Sequence, residues 1–160
     1  MLKERRDWPK LIISILICQA AGGIGGLFTG TSLNSWYLQL DKPDLNPPGW
    51  VFGVVWPILY LMMGIALFLV WRKTPLGREE QTALLWFFVQ LLLNIAWSWF
   101  FFGLRLPFFG LLEIAMLWVA IFITFIAFFR LSKTSALLLF PYLLWVSFAA
   151  YLNWSIVKLN

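Results

Sequence analysis

Apolar residues in this chain do not alternate with polar ones; they run together. The first run covers 11–28, and others of similar length follow at 50–71, 82–102, 108–129 and 135–157. About 20 residues rising about 1.5 Å each cross a hydrocarbon core about 30 Å thick, so each run is long enough to span a bilayer as a helix. A transmembrane barrel would show segments of about ten residues alternating apolar and polar, and these runs show no such alternation. The expected architecture is all-α: one integral membrane domain over 1–160, a bundle of five transmembrane helices with a single long connection at 29–49.

Composition and charge agree with that architecture. Hydrophobic residues make up 62% of the chain and charged residues 12%, against about 25% charged in ordinary soluble domains. The net charge of +5 does not form a nucleic-acid patch, because the basic residues divide among ends and connections. Lys3, Arg5, Arg6, Lys10, Arg72, Lys73, Arg78, Arg130 and Lys133 fall on one side of the bilayer, and Lys42, Arg105 and Lys158 on the other. That bias places the N-terminus in the cytoplasm and the C-terminus and the 29–49 loop outside. The stretch from Met1 to Ala21 has the outline of a cleaved signal, but the apolar run continues to Phe28, longer than a signal core. Cys18 is the only cysteine, which rules out an intramolecular disulfide.

The segment Pro47-Pro48-Gly49-Trp50-Val51-Phe52-Gly53-Val54-Val55-Trp56-Pro57 opens the second span with rigid and aromatic residues. Asn46 suits an N-cap, and Pro47 or Pro48 suits a first helical turn, where a missing N–H costs nothing. These prolines fix how the loop enters the helix. Further along, Pro57 and Pro141 each remove a helical hydrogen bond inside a span. Helical spacing puts Gly53, Trp56, Tyr60 and Gly64 on one face of the second span, and Gln90, Asn94, Trp97 and Phe101 on one face of the third. Tyr142, Trp145, Ala149 and Asn153 form a similar stripe on the fifth. An unpaired amide in hydrocarbon costs a few kcal/mol, so Asn94 and Asn153 face the interior, either joining helices or lining a site. Gly22, Gly26 and Gly30 repeat at four-residue spacing, a pattern that suits close helix packing within the bundle or, second, a dimer seam. Glu113, the only acidic residue inside a span, reads either as functional or as paired with Arg105 near the interface.

Of the eleven tryptophans, Trp8, Trp36, Trp50, Trp71, Trp86 and Trp154 stand near span ends, where indoles anchor at the headgroups. Trp56, Trp97, Trp99, Trp118 and Trp145 lie deeper. Indoles converging from three spans suit a flat, conjugated, mostly apolar ligand. Conventional catalytic or metal chemistry has little to work with, since the chain has no histidine and a single cysteine. No metal site and no obligatory cofactor are expected. For a haem iron, only Cys18, the methionines and the tyrosines remain as axial ligands, which favours a metal-free ring.

With these residues in place, the chain resembles the TspO/MBR family, the tryptophan-rich sensory proteins related to the translocator protein or peripheral benzodiazepine receptor. The resembling pieces are Trp36-Tyr37, Lys42-Pro43, Pro47 to Gly53 with Trp56, Gln90-Leu91, Leu93-Asn94, Trp97-Ser98, Pro141-Tyr142, Trp145, Phe148-Ala149 and Leu152-Asn153. The resemblance implies a five-helix, often dimeric membrane receptor or sensor. Its expected ligands are porphyrins and, in many members, benzodiazepine-like drugs and sterols. The implied pocket lies under the first loop, with Pro47 in the lid and Tyr37, Trp56, Asn94, Trp145 and Ala149 in the lining; the stripes add Tyr60, Trp97 and Tyr142. Transport of porphyrin or another small amphipath is an alternative. Another is light-dependent porphyrin degradation, for which the resemblance implicates Trp56 and Trp145. Leu45 stands where many members carry a further Trp, and the sterol consensus fails at the fifth span, because Lys158 lies too far from Tyr151. Bacterial inner, bacterial outer and organelle membranes all remain open as the location.

Overall fold

The computed structural model of the chain describes residues 7–73 and 75–160; Lys3, Arg5 and Arg6, counted above toward a cytoplasmic N-terminus, lie outside the described residues. Among the described residues there are five long helices and no strand: α1 (Asp7–Gly30), α2 (Gly49–Trp71), α3 (Arg78–Ser98), α4 (Pro107–Leu131) and α5 (Lys133–Leu159). All five are long and apolar enough to cross a membrane, α3 together with the wider π turn Trp99–Gly103 that continues it. The protein is a multi-pass integral membrane protein.

The helices begin earlier than the apolar runs because polar residues extend them at their ends. Glu79 and Glu80 sit in the first turn of α3, where the helix dipole favours negative charge. Pro107 opens α4, and the Ser132 hydroxyl accepts a hydrogen bond from the Ser135 amide at 3.3 Å to cap α5. The expected cap of α2 differs. Pro48 holds the N-cap position, and the Asn46 side chain is drawn into the loop instead, where its Oδ1 accepts from the Tyr37 hydroxyl at 2.7 Å.

The helices close into a ring in the order α1, α2, α5, α4, α3, with α3 back against α1. The short connections at 104–106 and 132 force α3, α4 and α5 to pack as antiparallel neighbours. By contrast, α2 and α3 follow one another in sequence but scarcely touch. Polar pins fix the non-sequential neighbours: the Ser135 hydroxyl donates to the Ala66 carbonyl at 2.8 Å, tying α5 to α2. α1 and α2 pack backbone to backbone at Gly64, where an added Cβ would lie 2.7 Å from the Ile15 Cα.

The loop between α1 and α2 holds a short 3-10 turn, Trp36–Gln39. It is tied to the bundle at two points: the Ser32 hydroxyl donates to the Phe102 carbonyl at 2.7 Å, and Asn160 at the end of α5 exchanges hydrogen bonds with the Asp41 backbone at 3.0 and 2.9 Å. Within the loop the Lys42 ammonium donates to the Tyr37 and Leu40 carbonyls, each at 2.8 Å.

Candidate functional site

Inside the ring, toward the loop end, lies a cavity of about 300 Å³. One wall is the glycine-rich face of α1, Gly22 to Gly30, and the facing wall is α2 with Gly49, Phe52, Gly53, Trp56 and Tyr60. Trp97, Ser98 and Phe102 of α3 and its π turn form the back, and Leu33 of the loop the top. The lining is almost wholly apolar. Trp56 and Tyr60 stack at 5.6 Å and 27°, which gives one flat aromatic wall. Trp97 stacks on Phe101 at 5.3 Å and 25° behind the other.

The glycine stripe serves both ends: at Gly22 it allows close packing of α1 on α2, as its spacing suggested, and at Gly26 and Gly30 it opens the hollow. A Cβ on Gly22 would collide with the Tyr60 ring at 2.5 Å, and one on Gly26, Gly30 or Gly53 would meet nothing within 4 Å. Four-residue spacing is compatible with both uses; only the position of the facing helix separates them.

The amides form a layer beneath the cavity. The Tyr60 hydroxyl donates to Asn94 Oδ1, Asn94 Nδ2 donates to the Tyr142 hydroxyl at 2.7 Å, and that hydroxyl donates to Gln90 Oε1 at 2.8 Å. A second chain runs from the Trp97 indole N–H to Asn153 Oδ1 at 3.0 Å and from Asn153 Nδ2 to the Pro107 carbonyl at 2.8 Å. These buried amides join helices, as the cost of leaving them unpaired in a low-dielectric interior requires.

Of the residues singled out in the sequence, the structure brings Trp56, Tyr60 and Trp97 to the cavity surface. Asn94, Tyr142 and Ala149 are buried behind it. Trp145 packs edge-on against Trp56 at 6.4 Å and 89°, and its other side borders a shallow groove with Val55, Leu59 and Phe148. Tyr37 is buried under the loop against Phe101 and Phe102, and Pro47 is half-buried just before α2. Burial pushes the Tyr37 phenol up to about 12, with its hydrogen bond to Asn46 acting weakly the other way. Sequence reasoning passed over Phe52, Ser98, Phe102 and the role of the α1 glycines; for the last, the Gly22, Gly26, Gly30 repeat was the available signal.

The expected pairing of Glu113 with Arg105 does not form. Glu113 is 2% exposed on α4, and neither carboxyl oxygen has a hydrogen-bond partner. Arg105 has a left-handed backbone, φ 57°, directly after the π turn, and its Nε donates to the Ser32 hydroxyl at 3.2 Å. The π turn therefore sends the guanidinium toward the start of the loop and away from α4.

An all-helical five-span bundle with a ring-lined hollow under a fastened loop defines the class: a multi-pass membrane protein with an intrahelical aromatic cavity. The model of the TspO/MBR family matches residues 14–159. The chain is 46% identical over 154 residues to the tryptophan-rich protein TspO of Chlorobaculum tepidum, covering 94% of this chain and 95% of the relative. It is 42% identical over 151 residues to the protein of the same name from Archaeoglobus fulgidus, covering 94% and 97%. To the translocator protein of Homo sapiens it is 36% identical over 138 residues, covering 86% and 82%. The chain belongs to the TspO/MBR family.

Proposed function

We propose that this protein is a membrane receptor or sensor that binds porphyrins of the protoporphyrin type, and related flat apolar molecules, in the cavity between α1, α2 and α3. The observation that carries this reading is the shape and chemistry of the hollow: a stacked Trp56–Tyr60 wall faces bare glycine backbone across a slot lined by no charged residue. Such a slot accepts a planar conjugated ring through stacking and edge contacts. At about 300 Å³ the cavity is at the low end of small-molecule sites, so a macrocycle extends past it toward the gap between α1 and α2. The basic-residue bias supports an orientation with the loop on the outer side.

The test is a spectral titration of free-base protoporphyrin into the purified protein. Trp56→Ala removes one face of the slot; if about 80 Å² of stacked area is lost at about 25 cal/mol per Å², affinity falls by about 2 kcal/mol, roughly thirtyfold. Unchanged affinity in that variant places the ligand elsewhere. Translocation is the second reading, favoured by the name of the human relative. A liposome flux assay separates the two, since binding without ligand movement leaves only the receptor.

A further inference from the structure

The two possible ways into the cavity are built very differently. On the loop side, the bonds of Tyr37 to Asn46 and of Lys42 to two carbonyls stiffen the cover, and Asp41 to Asn160, Arg105 to Ser32 and Ser32 to the Phe102 carbonyl hold it down. Between α1 and α2 the opposite holds. The cavity's edge there is Gly26 and Gly30 on α1 and Gly49 and Gly53 on α2, all exposed, and none has a side chain to reach across. Below this stretch the gap shuts: Gln19 Nε2 donates to the Pro57 carbonyl at 3.0 Å, Gly22 meets the Tyr60 ring, and Gly64 meets Ile15. Above it, an added Cβ on Gly26, Gly30 or Gly53 would touch nothing within 4 Å, so the two backbones stand apart.

The surroundings of the slit identify the medium it opens into. Beside Gly26 is Leu27, 73% exposed, and beside Gly53 is Val54, 52% exposed; Ile24 and Ile58 continue the apolar surface. Large apolar side chains on the outside of a membrane-spanning bundle suit contact with lipid chains. The slit is therefore an opening onto the hydrocarbon.

We propose that the slit between Gly26 and Gly53 is the ligand's doorway, and that the protein takes flat apolar ring compounds from solution in the bilayer, not from water. This rests on the reading of the cavity as the ligand site. The bilayer enriches such compounds, and lateral entry leaves the hydrogen bonds of the loop intact. It also lets one edge of a large ring stay in the slit among lipid chains while the rest lies against Trp56.

The experiment uses the full chain in lipid nanodiscs, with protoporphyrin as probe and stopped-flow fluorescence as readout. In one arm, Leu27→Trp with Val54→Trp adds bulk at the lipid face of the slit without altering a cavity-lining residue. Association and dissociation rates both fall at least fivefold. In the other arm, Asp41→Cys with Asn160→Cys staples the loop to α5 when oxidised; the rates stay within twofold of the reduced form. A stapled loop that stops exchange, or slit variants with wild-type rates, overturns the doorway. Failure of the wild type to bind protoporphyrin is a separate result and removes the site reading itself.

Discussion

Gly22 and Gly26 lie one turn apart on α1 and both line the cavity, yet the structure gives them opposite tolerances for a methyl group. An added Cβ at Gly22 would stand 2.5 Å from Tyr60 Cδ2 and 2.6 Å from Cε2. Carbon atoms rest at about 3.5 Å or more, so the ring must retreat by about 1 Å. It has little room to do so, because its hydroxyl is bonded to Asn94 and its face is stacked on Trp56. Overpacking of this kind costs about 1–3 kcal/mol. At Gly26 the same methyl meets nothing within 4 Å. Both substitutions gain the same helix propensity, about 1 kcal/mol for Gly→Ala, which cancels when the two variants are compared. Gly22→Ala is thus less stable than Gly26→Ala by about 1–3 kcal/mol, a gap of roughly 2–12 °C in Tm for a chain of this size. Thermal unfolding of both variants in the same detergent, followed by tryptophan fluorescence, measures the gap. Melting points within about 1 °C of each other would refute the account of how Tyr60 is held.

Other substitutions probe the polar layer and the loop. Glu113→Leu exchanges a buried carboxyl without a partner for an apolar side chain of similar volume, so thermal stability is expected to hold or rise; a Tm loss of more than a few degrees contradicts this. Trp97→Phe strips the donor from Asn153 Oδ1 and leaves a buried acceptor unpaired, a cost of about 1–3 kcal/mol. Adding Asn153→Leu should recover part of that cost in a double-mutant cycle, and strict additivity would show that the bond contributes nothing. The Tyr37 phenol is raised from 10.0 to about 12 by burial, so the neutral form is the one the folded loop favours. Its stabilisation is complete below pH 10 and is lost as the pH rises through about 12. The tyrosinate absorbance difference between the wild type and Tyr37→Phe should titrate near pH 12, and a difference that titrates near 10 contradicts the burial.

The spans and the interior amides were legible in the sequence for physical reasons. A bilayer demands long uncharged runs, and it penalises Asn94 or Asn153 facing lipid so strongly that composition alone assigns them to the inside. The order of the helices around the ring was not legible, because spans apolar on nearly every face do not say which face meets which neighbour. The same ambiguity affected single residues. Asn46 is a good N-cap by type, but Tyr37 lies nine residues away and claims its oxygen once the loop folds back. Arg105 is near Glu113 in sequence, and the π turn before it turns the guanidinium to Ser32. In each case the deciding partner comes from tertiary packing and not from the local segment.

The placement of the amides bears on what the cavity can discriminate. The side-chain oxygen of Asn94 is committed to Tyr60, and Asn153 is bonded to Trp97 and Pro107. Two hydroxyls at the lining are committed, Thr29 to the Gly25 carbonyl at 3.0 Å and Tyr60 to Asn94, which leaves the Ser98 hydroxyl and the Trp56 indole N–H as the polar groups on the walls. A site that must hydrogen-bond its ligand rejects analogues lacking the group by factors of about 10⁴–10⁵, whereas an apolar pocket separates near-isosteres by only about 10–200-fold. The hollow beside Trp56 belongs to the second kind. It is expected to bind a family of planar ring compounds with affinities graded by stacked area. Competition among porphyrins that differ only at peripheral polar groups tests this: affinities should spread over about two decades at most. Discrimination of a thousandfold or more by one peripheral hydroxyl or carboxyl would require a charged partner, and no charged residue lines the cavity.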